Sequence, residues 1–154
     1  MKKLILILLF AGTVISLNAQ HCYDFHRSNC YPSDNEFFEY NGQSKSALFA
    51  KGTTSTLNVV IYKGQDYRFS FCLEDHLGDR VVYKIMDGKS KEVLYDNASD
   101  EYADTFEFSC EYTRKIIVEM TIPDDGHGGE QLKPKDMGCL GFLIEHMPTP
   151  RSGF

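Results

Sequence analysis

Short runs of alternating apolar and polar residues, separated by turn residues, fill the chain from Thr56 to His146. Runs of this kind predict strands, and no long stretch has the 3.6-residue period of a helix. The runs are 56–63, 66–73, 80–86, 92–95, 104–110, 114–122 and 138–146. Weaker patterns at 46–51 and 37–40 add one or two strands, so about eight are expected, with Pro148 and Pro150 ending regular structure.

The alternation gives each strand one apolar face. Tyr67, Phe69, Phe71 and Leu73 share a face, whereas Cys72 lies on the opposite one. Two packed sheets bury such faces together. The sequence therefore predicts an all-β fold: a single antiparallel β-sandwich or jelly roll over residues 21–150.

The first twenty residues have the order of a secretory signal. Lys2 and Lys3 precede an apolar run from Leu4 to Leu17, and the small residue Ala19 follows. The run is shorter than the roughly 20 apolar residues that span a bilayer. We expect residues 1–20 to be removed, leaving a periplasmic or extracellular chain with no membrane insertion after processing and with a disordered tail at 151–154.

The processed chain is acidic. Loss of Lys2 and Lys3 reduces the 16 Lys and Arg residues to 14 against 22 Asp and Glu, so the net charge changes from −6 to −8. With no basic cluster, such a chain is a poor partner for nucleic acid.

The strand pattern also resembles known exported proteins. The segments GQDYRFSFCLED, VVYKIMD, EVLYDN, DTFEFS, KIIVEMTIP and GCLGFLIEH, within Lys63 to His146, resemble a group of short uncharacterised exported bacterial proteins. They are more loosely similar to pre-peptidase C-terminal and GOLD-type β-sandwiches. The resemblance implies a non-catalytic accessory or recognition module, with no catalytic residue and no cofactor to carry over, although fold alone does not determine function.

Five cysteines in an exported chain favour two disulfides and one unbonded thiol. Cys22 and Cys30 flank a short polar segment, so we expect a local bridge there. The residues leave three choices open for the second bridge among Cys72, Cys110 and Cys139. The resemblance implies that the family carries Cys72 and Cys139, and jelly-roll closure commonly places the last strand beside an early one, so we expect that pair to be bonded. Cys110 then stays free as a small buried hydrophobe.

The long connection from Pro123 to Met137 is the main candidate for a ligand or metal site. Long connections are often functional, and this one carries the oxygen and nitrogen donors Asp124, Asp125, His127 and Glu130. Their order does not match a calcium loop, so a solvated turn is the favoured interpretation and no metal is expected. A second candidate is His21, which would chelate copper together with His76, His127 or His146 if it were the first mature residue. Ala19 is the better residue before the cut, which would leave Gln20 first, and Cys22 is more simply half of a disulfide, so this site is not the favoured interpretation.

No motif for a nucleophile, a phosphate loop or a zinc protease occurs, so no enzyme is expected. The N-terminal region is rich in aromatic residues, for which core packing is the favoured role. The leading hypothesis is an exported non-enzymatic binding module that recognises a protein or envelope component through loops at one end of the sandwich. The alternative is an envelope metalloprotein or hydrolase that uses His21 or the 123–137 loop. The oligomeric state stays open.

Overall fold

Two antiparallel sheets face each other across an apolar core in the computed structural model, which describes residues 22–124 and 137–150. The all-β sandwich predicted from the alternation is confirmed. Among the described residues, no helix has the length and apolar character needed to cross a membrane.

The first sheet has five strands in the described part of the chain. Its strands are β1 (Glu39–Tyr40), β2 (Lys45–Ala50), β4 (Gln65–Leu73), β7 (Thr105–Cys110) and β9 (Met137–Pro148). Both β1 and β2 pair with one side of β9, β4 pairs with its other side, and β7 forms the far edge. The last strand therefore does lie beside an early one, with Phe71 opposite Phe142.

The second sheet is formed by β3 (Thr54–Ile61), β5 (Val82–Asp87), β6 (Val93–Asp96) and β8 (Arg114–Thr121). Its strand order is β3-β8-β5-β6. The one α-helix in the described part of the chain is α1 (Phe25–Asn29), and short 3-10 turns occupy Asp75–Leu77 and Asn97–Ser99.

The core lies between the sheets and is formed by the apolar faces that the alternation predicts. Tyr67 and Phe69 are fully buried in it, and Phe71 is buried beside them. The rings of Phe71 and Phe142 stack at 4.7 Å between centroids. The second sheet supplies buried side chains at alternate positions of its strands, including Val59, Ile61, Tyr83, Ile85, Ile116, Val118 and Met120.

The pairing predicted for the cysteines is wrong. Bonds join Cys22 to Cys139 and Cys30 to Cys72, and Cys110 is buried and unbonded. In the register of β4 and β9, Cys72 is opposite Gly141, two positions from Cys139. Diagonal neighbours of this kind are about 7–8 Å apart, which is too far for a disulfide. Cys72 and Cys139 therefore each bond to a cysteine of the N-terminal segment instead of to each other. Within that segment, α1 lies between Cys22 and Cys30.

Candidate functional site

An N-terminal segment covers the outer face of the first sheet, the face turned away from the core. We call residues 22–38 the strap. It contains α1, which contacts β9, β4 and β2. The two disulfides attach the strap to the central strands, Cys22 to β9 and Cys30 to β4.

A buried ion pair lies under the strap. Arg68 Nη1 is 2.7 Å from Glu145 Oε2, on outward-facing positions of neighbouring strands. The backbone N–H of Ser33 donates to both carboxylate oxygens, at 3.2 and 3.0 Å, and Arg68 donates to the backbone oxygen of Tyr31 at 3.0 Å. Burial of a charge is costly unless it is paired and hydrogen-bonded. The backbone of the strap supplies part of the hydrogen bonding that the buried charges need. These hydrogen bonds therefore hold the strap in position over the ion pair.

His26 provides a second polar attachment. Its backbone N–H donates to Ser46 Oγ at 2.8 Å, and its Nδ1 lies 2.6 Å from the same oxygen. Its Nε2 lies 3.1 Å from Tyr40 Oη, so both ring nitrogens are within hydrogen-bonding distance of a hydroxyl group. Burial lowers the pKa of His26, against the opposing effect of Asp24. The lowered pKa favours a neutral ring.

Gly141 lets the strap approach the sheet closely. A Cβ at this position would lie 2.6 Å from Cys72 Sγ, 2.8 Å from Cys30 Sγ and 2.9 Å from His26 Cα. Distances this short leave no room for a side chain. Glycine at this outward position of β9 is thus a condition for the strap to pack.

The outward side of the strap and the neighbouring β1 expose four aromatic rings. They belong to Tyr23, Tyr31, Phe37 and Tyr40, which are 81%, 85%, 69% and 40% exposed. We call these four side chains the aromatic face. The expectation that the N-terminal rings serve core packing is wrong for these four, which are exposed and lie outside the core between the sheets. Arg27 lies over the Tyr40 ring, 4.2 Å from its centroid.

The turn end of the sandwich exposes two further tyrosines. Tyr62 follows β3 and Tyr112 precedes β8, and each is more than half exposed. The two turns are joined by a hydrogen bond from Lys63 N to Thr113 Oγ1 at 3.0 Å. The leading hypothesis from the sequence places recognition on loops at one end of the sandwich, without specifying which end.

A pocket of about 210 Å³ opens on the side of the sandwich between the edge strands β6 and β7. Tyr95, Phe106 and Phe108 form its aromatic wall, and the rings of Tyr95 and Phe106 stack at 3.8 Å between centroids. Arg114 and Ser109 also line it. Phe106 and Phe108 face the core but are only partly buried, since each sheet ends at this side.

The predicted ligand set lies mostly beyond the described residues. Asp125, His127, Glu130 and His21 fall outside them. Asp124 is described, and a Cβ at Gly52 would lie 3.3 Å from Asp124 Cβ, so the two residues are adjacent.

The other histidines proposed for copper have separate protein contacts. His76 Nε2 hydrogen-bonds Met137 O at 2.7 Å, and the His146 ring stacks on Tyr67. Within residues 22–124 and 137–150, no three His, Cys, Asp or Glu side chains form a group that could hold a metal ion.

Cys110 has the environment of an inert thiol. It is buried, and its Sγ donates to the backbone oxygen of Tyr112 at 3.2 Å. Burial raises the pKa of this thiol, which disfavours the nucleophilic thiolate.

The chain resembles known proteins in structure but not in sequence. No protein-family model matches the chain, so the resemblance to pre-peptidase C-terminal and GOLD-type domains is not confirmed. No curated protein matches its sequence. Among solved structures, the chain has a likeness to a periplasmic inhibitor of g-type lysozyme from Aeromonas hydrophila, with 8% identity over 76% of this chain and 92% of that one and a TM-score of 0.47. This is a distant likeness of shape, which identifies neither partner nor activity.

Proposed function

We propose that this protein is an exported, non-enzymatic binding module that recognises a protein partner through the aromatic face of its strap. The observation that carries the proposal is the exposure of Tyr23, Tyr31 and Phe37 on the strap, which two disulfides attach to the sheet, and of Tyr40 on the neighbouring β1. Tyrosine and arginine are enriched among the residues that dominate binding energy at protein interfaces.

The rigidity of the strap adds to this argument. Ordering a flexible segment at an interface costs free energy, and a segment already fixed in the free protein avoids most of that cost. The disulfides, the Arg68–Glu145 pair and the His26 contacts hold the strap in place before a partner arrives. The aromatic side chains add large contact areas with few rotatable bonds.

Export is part of the proposal. Two disulfides favour an oxidising compartment, because thiols are kept reduced in the cytosol. They support removal of residues 1–20 and a location in the periplasm or outside the cell. The intact mass of protein recovered from the envelope tests this: a chain that begins at Gln20 or His21 is expected, and retention of Met1 would contradict it.

Site-specific photo-crosslinking in the producing cell tests the partner class. A benzoylphenylalanine is placed at Tyr31 or at Phe37, and at Tyr112 as a matched control of similar exposure at the turn end. We expect the same protease-sensitive adduct from both strap positions and none from the control position.

Two results would contradict the proposal. Adducts from the Tyr112 position alone would move recognition to the turn end. Adducts from the strap that resist protease and yield only to glycan-degrading enzymes would identify a glycan as the partner.

A further inference from the structure

The pocket between β6 and β7 combines an aromatic wall with one cation. Phe106 and Phe108 project from β7 and Tyr95 from β6, with ring centroids of Phe106 and Phe108 5.3 Å apart. Leu94 also lines the pocket and is 39% exposed. Of the described residues that line the pocket, Arg114 alone carries a charge.

Arg114 retains hydrogen-bonding capacity at this position. Its nearest described anion is Asp87, with Nη1 3.6 Å from Oδ2. The other oxygen of Asp87 accepts the backbone N–H groups of Lys89 and Ser90, so Asp87 is held by its own turn. The contact uses one nitrogen of a guanidinium that has five N–H donors, and the Arg114 side chain is 42% exposed.

The size of the pocket limits what it accepts. Sites for drug-sized ligands have volumes of about 300–1,000 Å³, whereas this pocket has about 210 Å³. It therefore suits one aromatic ring or one branched apolar group rather than a long acyl chain or a nucleotide.

From these features we infer that the pocket binds a small free acid, in which a single aromatic or branched apolar group carries a carboxylate. The apolar group packs against Tyr95, Phe106 and Phe108, and the carboxylate accepts hydrogen bonds from Arg114. An arginine matches the geometry of a carboxylate and strengthens such bonds by its charge. This site is separate from the aromatic face, so neither proposal depends on the other.

An NMR titration of the processed full chain tests the inference, with 3-phenylpropanoate as the probe and the uncharged 3-phenylpropanamide as its matched control. The expected result is saturable shifts of the Leu94, Phe106 and Ser109 amides, with the acid bound about tenfold more tightly than the amide, as a charge-assisted hydrogen bond implies. This comparison requires no variant. Equal affinities, or no saturable shift at these residues, would overturn the inference.

Variants then assign the carboxylate contact. Arg114→Gln is expected to remove the preference for the acid, whereas Arg27→Gln, an exposed arginine on the strap, is expected to keep it. Leu94→Trp is expected to cover the mouth of the pocket and weaken both probes. A preference for the acid that survives Arg114→Gln would contradict the role of Arg114.

Titration with a short peptide distinguishes a free acid from the C-terminus of a protein, because a C-terminal aromatic residue also combines an aromatic ring with a carboxylate. The probe is acetyl-Gly-Gly-Phe with a free carboxylate. Affinity equal to or weaker than that of 3-phenylpropanoate supports the free acid. Binding at least about tenfold tighter would show that backbone contacts matter, and would overturn the free acid in favour of a protein C-terminus.

Discussion

Arg68 and Glu145 form a 2.7 Å ion pair across the two central strands of the first sheet, beneath the strap. The two residues are far apart in sequence, but the register of β4 and β9 places them directly opposite each other on the outer face. Ser33 and the Tyr31 backbone complete their hydrogen bonding. The pair therefore couples the position of the strap to the pairing of the two central strands.

Replacement of Arg68 by Met is expected to destabilise the fold by about 2–4 kcal/mol, because it leaves the Glu145 carboxylate buried without its cation. Urea denaturation measures this. Glu107→Gln is the matched control, since Glu107 also contacts Arg68, at 3.3 Å, but is 57% exposed; its cost should stay below about 1 kcal/mol. Equal losses in the two variants would contradict a buried role for the Arg68–Glu145 pair.

Gly141→Ala is expected to cost about 1–3 kcal/mol, since the added methyl group overlaps Cys72 Sγ and the His26 backbone and displaces the strap. Thermal unfolding compares this variant with Gly42→Ala, because a Cβ at Gly42 meets nothing within 4 Å. If both alanine variants unfold at the wild-type temperature, the strap does not approach β9 as described.

The His26 contacts predict a loss of stability in acid. Because burial lowers the pKa of His26 in the folded state, the unfolded chain binds the proton more readily. The contribution of the neutral ring is thus fully present above the unfolded pKa of about 6.5, and it is lost as the pH falls from there through the lowered pKa of the folded state. Denaturation at several pH values between 8 and 5 should show a smaller decrease for His26→Gln than for the wild type. Identical pH profiles would rule out a neutral buried His26.

The disulfide pairing predicts a specific non-reducing peptide map. Peptides joining Cys22 to Cys139 and Cys30 to Cys72 are expected, with thiol label on Cys110 after denaturation. The Cys22–Cys139 bond closes a loop with a sequence separation of 117 residues, and the Cys30–Cys72 bond closes one of 42 residues. By loop-closure entropy, each bond taken alone stabilises the fold by roughly 5 and 4 kcal/mol, respectively. A peptide joining Cys22 to Cys30 would restore the local bridge and detach the strap from both strands.

The strands could be predicted from the sequence because alternation reports directly on burial. Tyr67, Phe69 and Phe71 lie in the core for that reason. The predicted strand limits from Thr56 onward agree with the structure within about two residues. The helix α1 was missed, since five residues are too few to show a helical period.

The site was less accessible to sequence reasoning, because it depends on which residues of distant strands lie opposite each other. Alternation put Cys72 on the correct face but did not give its register with Cys139. One signal was present in GCLGFLIEH: the run is apolar at outward as well as inward positions, with Leu143 buried opposite the core face, which indicates a strand covered on both sides. Gly141 within the same run indicates a close backbone approach.

The most direct test of recognition by the aromatic face is the affinity for the partner that crosslinking identifies, measured with purified proteins. Tyr31→Ala/Phe37→Ala is expected to weaken binding by at least about tenfold, because truncated interface anchors commonly cost more than 1 kcal/mol each. The matched variant Tyr62→Ala/Tyr112→Ala, at the turn end, should bind within about twofold of the wild type. Wild-type affinity in the strap variant, or an equal loss in the turn-end variant, would contradict the account.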